Sequence, residues 1–175
     1  MPQPEVARSH TRGGRARGIH SPEVHASPRR DSVAGMTDCI FCAIVAGAAP
    51  SVIVAEDERT LAFMDINPAS DGHLLVIPKA HSADLLDIAP EDLTAVTLMA
   101  QRLALDAVDE FGADGVNLLN CCGADAWQTV FHFHMHVIPR YLDKTRDRLH
   151  LPWTADIPGD SDLIASLGSR LAATV

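Results

Sequence analysis

Residues 130–140 constrain this chain more than any other segment. They read Val-Phe-His-Phe-His-Met-His-Val-Ile-Pro-Arg. A β-strand sends successive side chains to opposite faces. In a strand over 130–138, His132, His134 and His136 share one face, and Phe131, Phe133, Met135 and Val137 share the other. The apolar row is the one to bury. Three imidazoles about 7 Å apart along a single face serve no packing purpose, so the row points to chemistry.

Two chemistries use such a row. It can hold a catalytic metal, because imidazole is a common zinc ligand. Alternatively, one imidazole can be a nucleophile, with its neighbours arranged around an anion. The preceding residues favour the second. Gly123, Gln128 and Thr129 bring backbone amides, a side-chain amide and a hydroxyl beside the histidines. Such groups hold phosphate oxygens as charge develops.

The scaffold follows from the flanking patterns. Residues 39–46 read as a short helix closed by Gly47 and Pro50. Residues 51–56, 60–65, 73–78, 115–120 and 130–138 read as strands. A long helix spans 90–111, with Pro90, Glu91 and Asp92 suiting its first turn and Gly112 its far end. Its core stripe is Leu93, Val96, Ala100, Leu103, Ala107 and Phe111. A last helix, 162–173, lines up Leu163, Ile164, Leu167 and Leu171. Strands that flank helices without alternating with them predict an α+β domain with a mostly antiparallel, five-stranded sheet, one long helix and one or two short ones.

Composition bounds the rest. The chain has 175 residues, 47 % of them hydrophobic, which is one domain with a sizeable core. Residues 1–35 carry Arg8, Arg12, Arg15, Arg17, Arg29 and Arg30 against Glu5, Glu23 and Asp31, with no aromatic residue. That segment reads as a disordered tail, and its His10, His20 and His25 as solvated. Met36 follows it as a candidate start. The total charge of −9, and the local +3 of the tail, leave −12 on the rest. An acidic body does not coat duplex nucleic acid by charge, but it can still bind one nucleotide in a pocket. No apolar run reaches membrane-spanning length. Arg29-Arg30 ahead of the apolar stretch 39–49 mimics a twin-arginine signal, which Asp31 and Asp38 interrupt. The reading is a cytoplasmic protein with a tail at 1–35, a domain at 36–145 and an extension at 146–175.

The four cysteines fall as Cys39-x-x-Cys42 and Cys121-Cys122. In a cytosolic chain a CxxC suggests metal or redox chemistry before a structural disulfide. A redox CxxC follows a strand and opens a helix, and here no strand precedes it. The alternative is a pair of buried free thiols.

With these residues in hand, a resemblance is plain. His132-Phe133-His134-Met135-His136-Val137-Ile138 resembles the H-φ-H-φ-H-φ-φ signature of the histidine triad (HIT) superfamily. Asp38-Cys39-Ile40-Phe41-Cys42 resembles the family's opening, and Ala62-Phe63-Met64-Asp65-Ile66-Asn67-Pro68 its second block. Residues 72–81, Gly-His-Leu-Leu-Val-Ile-Pro-Lys-Ala-His, resemble its third. The pattern is most similar to the Hint-like branch, whose members are small homodimeric purine nucleotide-binding hydrolases.

The resemblance implies roles by position. His134 is the nucleophile toward an α-phosphorus, in nucleoside phosphoramidates or dinucleoside polyphosphates. His136 binds the phosphate, His73 is a fourth active-site histidine, and Thr129 assists the leaving group. Gln128 and Asn120 lie near the phosphates, and Asp65 accepts from the ribose hydroxyls. Ile40, Phe41, Phe63 and Ile66 line the base pocket, with core packing as the plain alternative. Cys39, Cys42, His81 and His132 hold a structural zinc of the bacterial type. A homodimer forms through 90–111 and 115–120. Two other readings stand beside this one: a nucleotide-binding module with little turnover, and a metalloenzyme with its metal on the triad. The chain departs from the pattern at Trp127, where many relatives have glycine, in a loop one residue longer, and after Tyr141, where Trp153 could reach a dimer partner's site or cover core.

Overall fold

The computed structural model describes residues 38–150 and 156–174. The expectations placed on the tail and on Trp153 lie outside them. Five strands, β1 (Ile53–Glu56), β2 (Thr60–Met64), β3 (Leu74–Pro78), β4 (Gly115–Leu119) and β5 (Met135–Arg140), form one sheet in the order β1-β2-β3-β5-β4. Every pairing is antiparallel. Helix α1 (Ile40–Val45) precedes the sheet, α2 (Pro90–Phe111) joins β3 to β4, and α3 (Ser161–Ala172) ends the described chain. No helix among the described residues is long and apolar enough to cross a membrane.

The two faces of the sheet have different coverings. Ala62, Leu74, Val76, Phe133 and Val137 pack against Val96, Met99, Ala100 and Leu103 of α2. Leu61, Phe63, Leu75 and Ile77 pack against Phe41 and Ile44 of α1. β3 is therefore buried at every residue. Helix α2 runs over the residues expected for it, with Pro90 in its first turn and Gly112 at φ 62° as its C-cap. Its buried stripe includes Met99 and stops at Ala107, while Phe111 is 40 % exposed. That ring sits at the helix end, beside the tight turn at Gly72.

Three details correct the sequence reading. Strand β5 starts at Met135, because residues 130–134 spend their backbone groups elsewhere. The Phe133 amide donates to Ser82 O at 2.7 Å, and the His134 carbonyl accepts from Asn120 Nδ2 at 2.9 Å. Residues 130–132 bend, yet the alternation survives: Phe133 is fully buried against α2, and His132 and His134 face the α1 side. Phe131 leaves the apolar row and is 52 % exposed, because the chain has not yet joined the sheet. The histidine face is not open either. α1 covers it, so His132 and His134 are buried as deeply as Phe133's neighbours. Helix α3 is capped by Asp160, whose carboxylate accepts from the amides of Asp162 and Leu163, and all of it is exposed.

Behind the site, the buried Asp147 carboxylate accepts from Arg140 Nε at 2.8 Å and from the Leu149 amide at 3.0 Å. Arg140 reaches Leu149 O with a second nitrogen at 2.7 Å. This ties the end of β5 to the segment after it.

Candidate active site and metal centre

His134 lies at the centre of the α1-covered face. Its Nδ1 is 2.7 Å from the carbonyl of His132. A carbonyl only accepts, so Nδ1 carries the ring proton and Nε2 keeps its lone pair. The edge of Phe41 meets the ring at a centroid distance of 5.3 Å and nearly perpendicular, at 87°. Burial lowers the pKa of His134 from the usual 6.5, with the His132 carbonyl and Asp65 opposing that shift. The ring is neutral at pH 7.

His73 and His136 form a relay with the opposite outcome. The Ala69 amide donates to His73 Nδ1 at 3.1 Å. That places the His73 proton on Nε2, which lies 2.9 Å from His136 Nδ1. His136 Nδ1 accepts, so its own proton sits on Nε2. Burial, with the neighbouring His134 and His73, pushes His136 down to about 4. Two adjacent rings, 4.9 Å apart between centroids, thus offer different groups: a lone pair on His134 and a neutral N–H donor on His136. Asp65 stands 3.6 Å from His73 Nδ1; one carboxylate oxygen holds the Asn67 amide at 2.7 Å.

The two amide side chains also hold the loop. Gln128 Nε2 donates to Ala83 O at 2.7 Å and Val130 O at 3.1 Å, and its Oε1 accepts from the Gly123 amide at 2.7 Å. Asn120 spends Nδ2 on the His134 carbonyl and leaves a buried Oδ1 without a partner. Gln128 has both amide protons on backbone carbonyls, whereas Asn120 spends one on the His134 carbonyl and keeps its second N–H without an acceptor among the described residues. Thr129 is exposed and lines an open pocket of about 440 Å³ with Ile40, Phe131, Cys39 and His81. Of the four apolar positions, Phe41 and Phe63 are core residues packed edge to face at 5.3 Å. Ile40 and Ile66 are 49 % and 89 % exposed.

Cys39, Cys42, His81 and His132 bring their ligating atoms within 4.8 Å of one another. His132 Nδ1 lies 3.5 Å from each thiol sulfur and 3.3 Å from His81 Nδ1; Cys42 Sγ lies 3.3 Å from His81 Nδ1. A tetrahedral zinc shell with Zn–N of about 2.05 Å and Zn–S of about 2.3 Å has N···N edges of about 3.3 Å and S···N edges of about 3.5 Å. The four atoms lie close to those edges, so the residues fit a tetrahedral cation. His132 Nε2 donates to Pro78 O at 2.9 Å, which turns the Nδ1 lone pair toward the cluster. Without a cation, burial holds the Cys42 thiol up at about 11.

This geometry separates the triad. His132 belongs to the Cys/His cluster, His136 groups with Asp65 and His73, and His134 belongs to neither. Among the described residues, no single cluster brings the three triad imidazoles together. Sequence reasoning missed the groups that set the tautomers, the Ala69 amide and the Pro78 and His132 carbonyls. They are backbone groups, and residue type carries no signal for them. Cys121 is buried and Cys122 half-buried, both outside the cluster.

Comparison with known proteins places this arrangement. Residues 46–143 match the HIT domain family. A crystal structure of a HIT family protein from Bacillus anthracis superposes with a TM-score of 0.71 at 38 % identity, covering 79 % of this chain and 97 % of that one. A Zn-bound histidine triad family protein from Mycobacterium smegmatis gives a TM-score of 0.62 at 37 % identity, covering 81 % of this chain and all of that one. Adenylylsulfatase HINT3 of Arabidopsis thaliana is 40 % identical over 112 residues, which is 64 % of this chain and 55 % of the relative.

Proposed function

This chain belongs to the HIT domain family, and from that premise we propose that it is a Hint-like nucleotidyl hydrolase acting through a nucleotidyl-His134 intermediate. One observation carries the reading. The hydrogen-bond partners leave His134 with a free Nε2 lone pair and His136 with an Nε2–H donor, side by side and neutral. Nucleophilic attack at phosphorus needs that pair.

In the proposed reaction, His134 Nε2 attacks the α-phosphorus of a purine nucleoside phosphoramidate or dinucleoside polyphosphate. A P–N bond forms as the bond to the amine or phosphate breaks, and the leaving group departs with the electron pair and takes up a proton. Water then adds to phosphorus, and the P–N pair returns to the imidazole. His136 donates to a phosphate oxygen throughout. Asp65 accepts from the ribose hydroxyls through its remaining oxygen, and the exposed Thr129 hydroxyl serves the leaving group. A relative named an adenylylsulfatase fits the same class of nucleotidyl hydrolysis.

The Cys39–Cys42–His81–His132 shell is assigned to zinc, which supplies a rigid closed clamp between α1 and the sheet. A Zn-bound neighbour of the same fold supports this. The protein is further read as a cytoplasmic homodimer. β4 is a sheet edge with Leu118 exposed, and α2 leaves Leu98, Leu105 and Val108 exposed.

The test is turnover of adenosine 5′-phosphoramidate with mass spectrometry of the quenched enzyme. Wild type is expected to show an adenylyl adduct on His134, and His134→Ala to lose turnover. Unchanged turnover in His134→Ala overturns the reading. Elemental analysis of Cys39→Ala/Cys42→Ala is expected to show loss of zinc.

A further inference from the structure

His132 belongs to two networks at once. Its ring presents Nδ1 to the thiol sulfurs and His81, while its backbone carbonyl accepts the proton of His134 Nδ1 at 2.7 Å. The ring is anchored from the other side by Pro78 O, so it cannot turn without breaking that bond. A second path runs through α1. Phe41 sits between the two cysteines in sequence, and its ring contacts His132 at 5.9 Å and His134 at 5.3 Å between centroids. The carbonyl path and the Phe41 path both end on the His134 imidazole. His73, His136 and Asp65 have no bond to the cluster; they are tied to the Ala69 and Asn67 amides instead.

We propose that a cation held by Cys39, Cys42, His81 and His132 positions the nucleophile, acting through the His132 carbonyl and the Phe41 ring on the tautomer and orientation of His134. His132 and Phe41 are positioning residues in this scheme. The phosphate and ribose contacts do not depend on the cluster. Cation loss therefore lowers the rate of the chemical step and leaves nucleotide affinity nearly intact. A clamp that merely stabilised the fold would lower both together, as the folded fraction fell. The pocket over Cys39 and His81, and the exposure of His81, leave the centre reachable from solvent. Occupancy can then follow metal supply.

The inference rests on the two assignments made above, zinc at the cluster and His134 as nucleophile, and its test separates them. The full-length protein is stripped with a chelator and reloaded with Zn²⁺ or Co²⁺. Thiolate-to-cobalt absorption reports binding, circular dichroism reports folding, and long-range ¹H–¹⁵N correlations report the His134 ring. In the stripped but folded protein the His134 Nδ1–H signal should give way to a tautomer mixture. Its kcat for adenosine 5′-phosphoramidate should fall about 10- to 100-fold, the range typical of lost outer-sphere support, with KM within about twofold. His81→Ala should behave like the stripped protein, and His81→Cys, which restores a four-ligand shell, should recover the signal and the rate.

Should stripping unfold the chain, Phe41→Leu in the Zn-loaded protein provides the second arm, with a lower kcat expected at unchanged KM and zinc content. Cobalt absorption with an unaltered His134 signal and kcat on stripping overturns the inference and leaves the zinc assignment standing. Unchanged kcat in Phe41→Leu overturns it too. Absence of cobalt absorption overturns both the inference and the zinc assignment. Turnover that survives His134→Ala removes the nucleophile reading itself.

Discussion

Gly72→Ala tests how tightly the turn before His73 is built. Gly72 has φ +82°, where an L side chain is strained. A left-handed conformation costs a non-glycine residue about 1–2 kcal/mol. A Cβ added there would also lie 2.6 and 2.8 Å from two ring carbons of Phe111 and 3.3 Å from Pro139 Cγ. Overpacking of that kind costs about 1–3 kcal/mol. The expected loss is therefore about 2–5 kcal/mol. The two contributions separate in a double-mutant cycle with Phe111→Ala. In that background the ring is gone, so Gly72→Ala should cost only the backbone share, about 1–2 kcal/mol, with a coupling energy of about 1–3 kcal/mol. Urea unfolding of the four proteins, followed by circular dichroism and fitted with a common slope, measures this. Equal costs of Gly72→Ala in both backgrounds would refute the clash. A loss below about 0.5 kcal/mol in wild type would refute the whole argument. Because His73 is the next residue, the same variant should also lower kcat.

The remaining predictions concern charge and assembly. His134 must be neutral to attack, and burial lowers its pKa from 6.5, so the acid-side inflection of kcat/KM should lie below pH 6.5; an inflection above 6.5 contradicts the assignment. Asp147 is held down at about 2 against burial by the Arg140 hydrogen bond and the Tyr141 and Leu149 amides, from a usual 3.8. A depressed carboxylate stabilises the fold above its unfolded pKa, so about 2 kcal/mol should be lost as pH falls from near 5 toward 2, and should be missing from the acid titration of Asp147→Asn. Arg140→Met removes the Nε–H donor to that buried carboxylate, leaving it Lys144 at 3.5 Å and the Tyr141 and Leu149 amides, and should cost about 1–3 kcal/mol in urea unfolding at pH 7. Light scattering at micromolar concentration should give twice the chain mass, and a monomer there would refute the dimer.

Much of the site was legible in the residues themselves. His132, His134 and His136 in alternation with Phe133, Met135 and Val137 required an extended segment with two unlike faces, whatever surrounded it. The CxxC and the apolar rhythm of 90–111 were equally local signals, because side-chain periodicity depends only on backbone geometry. Other facts came from chain segments distant in sequence. Helix α1 covers the histidine face, so His132 and His134 are buried, which no local pattern around them encodes. Residues 130–134 remain outside the ladder because Ser82 and Asn120 compete for their backbone groups. Gln128 had the right chemistry for a phosphate, yet the carbonyls of Ala83 and Val130 take both of its amide protons.

The sequence alone determined which groups are present and in what alternation, since these follow from bonded geometry and residue type. The tertiary structure decided which nitrogen of each imidazole carries the proton. That choice depends on backbone donors and acceptors from Ala69, Pro78 and His132, brought to the rings by folding, and on the loss of water around them.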